Sequence, residues 1–325
     1  MTLRRSTLKR VAKSLVPVTV WNQLSTLKNR GLRAAAERAG YVIASQDDYY
    51  SPLPSLPQLK RTEQRWCRPS ALAGVHYDVP RMKLYLDTLL ARYRDEFFAL
   101  PRYEQIAMIG FGPGYTPVDA LILYLMIRDL KPRRYIEVGS GVSTYYCSLA
   151  ARKNAEEGHP VEMTCIEPFP AASLSSIPGI RVIADEVQNR DPAFFEQLGE
   201  RDVLFIDSTH VLRIDGDVAF LYLEVLPILK LGVAVHIHDI PFPYNIPYPP
   251  QKWVFDPDPW PKFWNEAMVL QAFLCCNGDF EITLSPPLIR HFDEVFLRRM
   301  IPIYESTEEN PNAFSSIWLK RVRSQ

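Results

Sequence analysis

The chain has no charge surplus of either sign: among its 325 residues, 37 lysines and arginines balance 37 aspartates and glutamates. Without a basic excess there is no general electrostatic footprint for nucleic acid. No apolar run approaches the roughly 20 residues that a membrane-spanning helix needs. The five cysteines (Cys67, Cys147, Cys165, Cys275 and Cys276) are odd in number and include no Cys-x-x-Cys pair. Neither a zinc site nor a disulfide framework is indicated. Cys147 and Cys165 sit in apolar runs and read as buried thiols, which suits a reducing, cytoplasmic compartment. A secretory signal is not expected either, because the apolar stretch Leu15–Val20 is short and contains a proline.

What is present starts with a 47% hydrophobic content, enough for a substantial core. The length suits one large elaborated domain or two modest ones. Charge is unevenly placed: the first forty residues carry Arg4, Arg5, Lys9, Arg10, Lys13, Lys28, Arg30, Arg33 and Arg38 against Glu37 alone. The plainest reading is a solvated helical extension. A basic arm touching an anionic membrane surface or polymer is a second, and an Arg-rich targeting segment a third. Tyr49–Pro57 is proline-punctuated and reads as a linker or surface strap. From Arg81 to Leu100 apolar residues recur at helical spacing. A turn at Gly110–Gly114 follows, and Thr116-Pro117-Val118-Asp119 reads as a helix start running to about Leu130. The sequence divides on this reading into an extension over 1–115 and a main domain over 116–325.

Beyond that point strands and helices alternate. Strands are expected at Tyr135–Val138, Val161–Ile166, Ile180–Ala184, Val203–Ile206 and Val233–Ile237. Helices are expected near Ser143–Ala155, Pro192–Leu198 and Asp217–Leu229, and a helix Trp264–Cys276 and strands Phe280–Leu284 and Ser315–Lys320 follow. This alternation predicts an α/β fold, a mostly parallel sheet with helices on both faces. Its most informative stretch is Tyr135-Ile136-Glu137-Val138-Gly139-Ser140-Gly141-Val142-Ser143-Thr144, a strand entering a glycine turn, with Ser143 or Thr144 as the expected cap of the next helix. Such a turn is where open α/β sheets bind nucleotide-like cofactors. A dinucleotide fingerprint requires a third glycine where Thr144 stands. Glu137 suits a cationic ligand instead.

The turn resembles the acidic-x-Gly-x-Gly motif of class I S-adenosylmethionine (SAM)-dependent methyltransferases, with Ser143 where many members have another glycine. With Phe205-Ile206-Asp207-Ser208-Thr209-His210 and His236-Ile237-His238-Asp239, the chain looks like a bacterial branch that includes small-molecule and saccharide-pathway enzymes. The resemblance implies a Rossmann-like seven-stranded sheet whose last strand inserts antiparallel beside the fifth. It implies SAM as cofactor, held by Glu137, Gly139, Ser140, Gly141, Ser143, Thr144 and Asp207, with Glu167 on the ribose hydroxyls and Asp185 near the adenine.

Three histidines (His210, His236, His238) and two aspartates (Asp207, Asp239) crowd two adjacent strand ends, where ligands sit. His210 and His238 are candidate general bases, with Asp239 orienting one of them or acting itself. Asp207 and Asp239, with His238, could instead hold a divalent metal, a less favoured role. The loop Pro241–Trp264 joins many prolines to Phe242, Tyr244, Tyr248, Trp253, Phe255, Trp260 and Trp264, aromatic faces suited to a sugar ring or an aromatic acceptor. The expected activity is O-methylation of a small-molecule or saccharide hydroxyl. The alternatives are an NAD-dependent oxidoreductase, or a non-catalytic protein that keeps the fold and binds membranes through its basic N-terminus.

Overall fold

The computed structural model describes residues 18–45, 48–111, 114–256, 260–304 and 314–323. The chain forms two compact units, Met1–Thr62 and Glu63–Gln325. In the first, helices α1 (Val18–Arg38) and α2 (Leu56–Arg61) are the regular elements among the described residues. From Thr26 onward every residue of α1 is exposed except the half-buried Ala36. Arg33 pairs with Glu37 one turn on, at 3.0 Å. The basic residues Arg4, Arg5, Lys9, Arg10 and Lys13 lie outside the described residues. No described helix is long and apolar enough to cross a membrane.

The second unit opens with the short α3 (Glu63–Trp66) and then α4 (Val79–Phe98). Asp78 caps α4 by accepting from the Arg81 amide, and Met82, Leu86, Leu89, Leu90, Tyr93 and Phe97 form its buried stripe. After α5 (Tyr103–Ala107), Thr116 caps α6 (Pro117–Leu130), which is buried from Val118 through Arg128. Such a helix can only lie between other layers. Its buried Arg128 is neutralised by Glu96 from α4 and by Glu157 beyond α7 (Val142–Glu156). The Arg81–Leu100 helix expected in the extension therefore packs within the sheet-bearing unit.

The sheet has seven strands, β1 (Arg134–Val138), β2 (Glu162–Ile166), β3 (Ile180–Ile183), β4 (Val203–Ile206), β5 (Ala234–Ile237), β6 (Phe280–Leu284) and β7 (Ile317–Arg321). Their order is β3-β2-β1-β4-β5-β7-β6. Strands β1 to β5 pair in parallel and β7 runs antiparallel to both β5 and β6. This is the Rossmann-like class I methyltransferase arrangement. The register aligns Val138 with Ile166 and Ile206, and Ile206 with Ile237. Gly139, Glu167, Asp207 and His238 therefore leave the sheet side by side at its carboxyl edge.

Two expected helices are broken differently. Pro192–Gln197 is a 3₁₀ helix capped by Asp191. The segment after Asp217 is one α turn, α8 (Asp217–Phe220), then a π-helical stretch to Val225 and a 3₁₀ turn at Leu226–Ile228. Pro227 supplies no N–H and disfavours helix before it, which ends the regular run. Helix α9 spans Glu266–Leu274, shorter than expected. Helix α10 (Pro286–Met300) was not expected, and it is interrupted at Asp293.

Candidate active site

Gly139 turns β1 away from the sheet with φ +100°, and a Cβ there would lie 2.3 Å from the Asp207 carbonyl oxygen. The close crossing of the β1 and β4 ends therefore requires glycine. Gly141, not Ser143 or Thr144, is the cap of α7. Thr144 reaches back from the first turn, its Oγ1 accepting from the Gly141 amide at 3.0 Å. Ser143 donates to Glu137 Oε1 at 2.5 Å.

Glu137 does not face the cleft. Its side chain is fully buried and also accepts from the Tyr135 hydroxyl at 3.2 Å and the Cys165 thiol at 3.7 Å. Burial outweighs these hydrogen bonds and pushes its carboxyl up to about 7. The expected direct contact with a cation is thus replaced by a buried pedestal that ties the glycine turn to β1 and β2.

The cleft above the turn has a volume of about 280 Å³ and is lined by Gly139, Glu167, Val187 and Asp207 among others. Glu167 Oε1 accepts from the Phe169 amide at 2.8 Å, and Oε2 from Ser140 at 3.4 Å. Asp185 does not line the cleft: its carboxylate is held by Arg190, by Asn189 at 2.7 Å and by the Glu186 amide at 2.9 Å. Its neighbours Glu186 and Val187 reach the cleft instead. Among the described residues, four carboxylates (Glu167, Glu186, Asp207, Asp217) line this space against one cation, Arg213.

The end of β4 meets the end of β5 through two buried histidines. His210 Nδ1 lies 2.8 Å from Glu266 Oε2, and its Nε2 lies 3.4 Å from both Asp207 Oδ1 and Asp239 Oδ2. His238 Nδ1 stands 3.3 Å from Asp207 Oδ1, and its Nε2 3.5 Å from Asp119 Oδ2. Burial lowers both imidazoles' proton affinity, yet the surrounding carboxylates prevail. His210 is raised to about 10 and His238 well above its ordinary value. Burial opposes ionisation of Asp207, but His238 and then His210 hold it well below the usual carboxylate range. The carboxylates thus favour the protonated form of both imidazoles, which works against the general-base role expected of them. His210 and Asp239 also hold left-handed backbone, φ +60° and +55°, uncommon for residues with side chains.

His236 is not part of this edge. It is stacked between Phe205 and Trp318 on the neighbouring strands, each centroid 4.2 Å away, and both ring nitrogens are buried with no hydrogen-bond partner among the described residues. Three supporting residues carried no signal in the sequence. Asp119, expected as a helix-start acid and not as a site residue, is fully buried, accepts from Thr116 Oγ1 at 2.7 Å and faces His238. Glu266 begins α9 and also accepts from the Tyr222 hydroxyl at 3.1 Å. Ser315, before β7, donates to Asp239 Oδ1 at 2.8 Å.

Asp239 and His238 open into a second cleft of about 530 Å³, walled by Tyr115, Tyr248, Trp253 and Trp264. Of the loop's other aromatics, Phe242 is core, Tyr244 stacks on Tyr248 at 4.0 Å and Phe255 meets Trp66 at 5.9 Å. Residues 257–259 of the loop lie outside the described residues. Asp207 lines the first cleft and Asp239 the second, and His210 Nε2 stands 3.4 Å from both carboxylates. Asp207, His238 and Asp239 also each offer one ligand atom within 4.8 Å of the others, a set able to hold a divalent ion.

A family model described as a methyltransferase domain matches residues 136–240. An uncharacterized protein of Archaeoglobus fulgidus is 26% identical over 164 residues, covering 47% of this chain and 72% of that protein. Among solved structures, the O-methyltransferase TomG of Streptomyces achromogenes, solved with SAM, is 14% identical with TM-score 0.41, over 77% of this chain and 92% of that one. An O-methyltransferase from Bacillus cereus is 9% identical with TM-score 0.36, over 76% and 100%. The sheet has the class I methyltransferase strand order, and the methyltransferase-domain match spans its part from β1 to β5.

Proposed function

We propose that the protein transfers a methyl group from SAM to a hydroxyl of a small-molecule or saccharide acceptor, with the cofactor in the glycine-turn cleft and the acceptor in the aromatic cleft. The observation that carries this reading is the charge of the first cleft, four carboxylates against a single arginine. That lining repels a pyrophosphate and favours a ligand bearing an ammonium and a sulfonium, which disfavours the NAD reading. Glu167 at the end of β2 is placed to accept from vicinal ribose hydroxyls. When bound, SAM supplies a methyl group already activated by its sulfonium.

The protein's own contribution is then alignment and proton handling. Aromatic faces fix the acceptor ring, leaving its hydroxyl beside Asp239. With both histidines already protonated, Asp239 is the group that takes the hydroxyl proton as the new oxygen–carbon bond forms. Ser315 and His210 hold its carboxylate in place, and the paired imidazolium charges stabilise the oxygen as it loses the proton. Asp119 and Glu266 keep those imidazoles charged and oriented. The protein would be incubated with methyl-labelled SAM and a panel of hydroxylated rings. Label on an acceptor oxygen supports the reading; label confined to nitrogen, or no transfer at all, contradicts it. A metal-assisted variant of the same transfer draws on the Asp207, His238 and Asp239 set, with His238 giving up its proton to serve as a ligand, and loss of turnover in chelator with recovery on added Mg²⁺ would favour it.

A further inference from the structure

We propose that the acceptor carries an anionic group, a carboxylate or a phosphate, and that Lys252 and Lys262 recognise it. The inference rests on the aromatic cleft being the acceptor site. Both lysines line that cleft. Lys252 Nζ lies 5.0 Å from the Trp253 ring centroid and Lys262 Nζ 5.8 Å from that of Trp264. The two indoles are themselves 5.6 Å apart, and the Lys262 amide donates to the Trp253 carbonyl at 2.8 Å. Both ammonium groups are thereby held on one wall.

Neither lysine has a carboxylate partner among the described residues, whereas Lys83, Lys131 and Lys153 each have one. An ammonium held over an indole and left without a counter-ion gains most from a ligand anion. Charge also sets the acceptor's orientation. Asp239 lines the same cleft and repels an anion, so the ligand's charge points to the lysines and its hydroxyl to Asp239. The acidic cofactor cleft and this lysine-bearing cleft thus sort a cationic donor from an anionic acceptor. A neutral ring would stack on the same indoles and leave both ammonium groups uncompensated.

The test uses matched pairs on the full-length protein saturated with S-adenosylhomocysteine. Calorimetry compares 3,4-dihydroxybenzoate with its methyl ester, and glucose 6-phosphate with glucose, which separates a carboxylate from a phosphate source. The anionic member of one pair should bind about tenfold or more tightly than its neutral partner. In K252M/K262M, which keeps the apolar stems over the indoles, that preference should fall below about threefold, with S-adenosylhomocysteine affinity unchanged. Equal affinity within both pairs, a preference that survives in the double variant, or no binding of any of the four would overturn the proposal. Failure of the methyl-transfer reading looks different, because the wild-type protein would then not bind S-adenosylhomocysteine in the first place.

Discussion

Replacing Glu137 with glutamine should stabilise the protein at alkaline pH and leave it nearly unaffected in acid. The carboxyl is fully buried beneath the glycine turn, and its proton affinity is raised from the ordinary 4.5 to about 7. A folded-state value above the unfolded one means that the native protein binds the extra proton. Stability from this group is therefore complete below about 4.5 and is lost as pH rises through about 7. One pH unit of displacement corresponds to about 1.4 kcal/mol, so the ionised form costs on the order of 3 kcal/mol in the folded state. An amide fills the same volume and does not ionise, and the Ser143 and Tyr135 hydroxyls can turn to accept from it. Urea unfolding of both proteins, followed from about pH 4.5 to about pH 8, should show E137Q gaining on wild type by roughly 3 kcal/mol across the interval. A difference that stays flat with pH would refute the reasoning, because Glu137 would then be ionised in the native state or reached by solvent.

Three other substitutions test the site and its frame. G139A places a Cβ 2.3 Å from the Asp207 carbonyl at φ +100°, and should cost about 1–3 kcal/mol of stability and at least tenfold in S-adenosylhomocysteine affinity, read by thermal melts and calorimetry. D239N should lower kcat by about 100-fold or more while changing cofactor affinity less than about twofold; full activity in a methyl-transfer assay would remove Asp239 as proton acceptor. His236 is kept neutral by burial, its proton affinity lowered well below the ordinary 6.5. Its share of stability is present above that value and lost as pH falls. H236F should therefore melt at a higher temperature than wild type below about pH 6, and an unchanged or lower melting temperature there would argue that the stacked ring carries a charge.

The parallel sheet was legible because its strands are nearly continuous apolar runs, most ending in glycine or acid, and all seven strands of the sheet lie within two residues of the expected bounds. The glycine turn, Glu167 and the strand ends at Asp207 and Asp239 were also apparent, since such residues are unusual at the mouth of a buried sheet. Side-chain direction was not. Alternation placed His236 and His238 on one face, but only the register shows that His236 falls between Phe205 and Trp318. Glu137 reads as a ligand contact until Ser143, Tyr135 and Cys165 are seen to enclose it. Helix α10 was hidden by Pro286 and Pro287, which look like breakers but occupy its first turn after the Ser285 cap. Asp119 reaches His238 from a helix 119 positions away in sequence, and Glu266 reaches His210 from one 56 positions away, a relation that no local pattern encodes. With Asp207, their carboxylates raise the proton affinity of the two candidate bases.

The central claim is that the acidic cleft over Gly139 accepts SAM. Calorimetric titration of the purified protein with SAM, S-adenosylhomocysteine and NAD in parallel tests it most directly. The account predicts saturable one-to-one binding of SAM and its demethylated product, each competing with the other and both weakened in G139A, with no heat of binding from NAD. Saturable binding of NAD, with neither SAM nor S-adenosylhomocysteine able to displace it, would contradict the account.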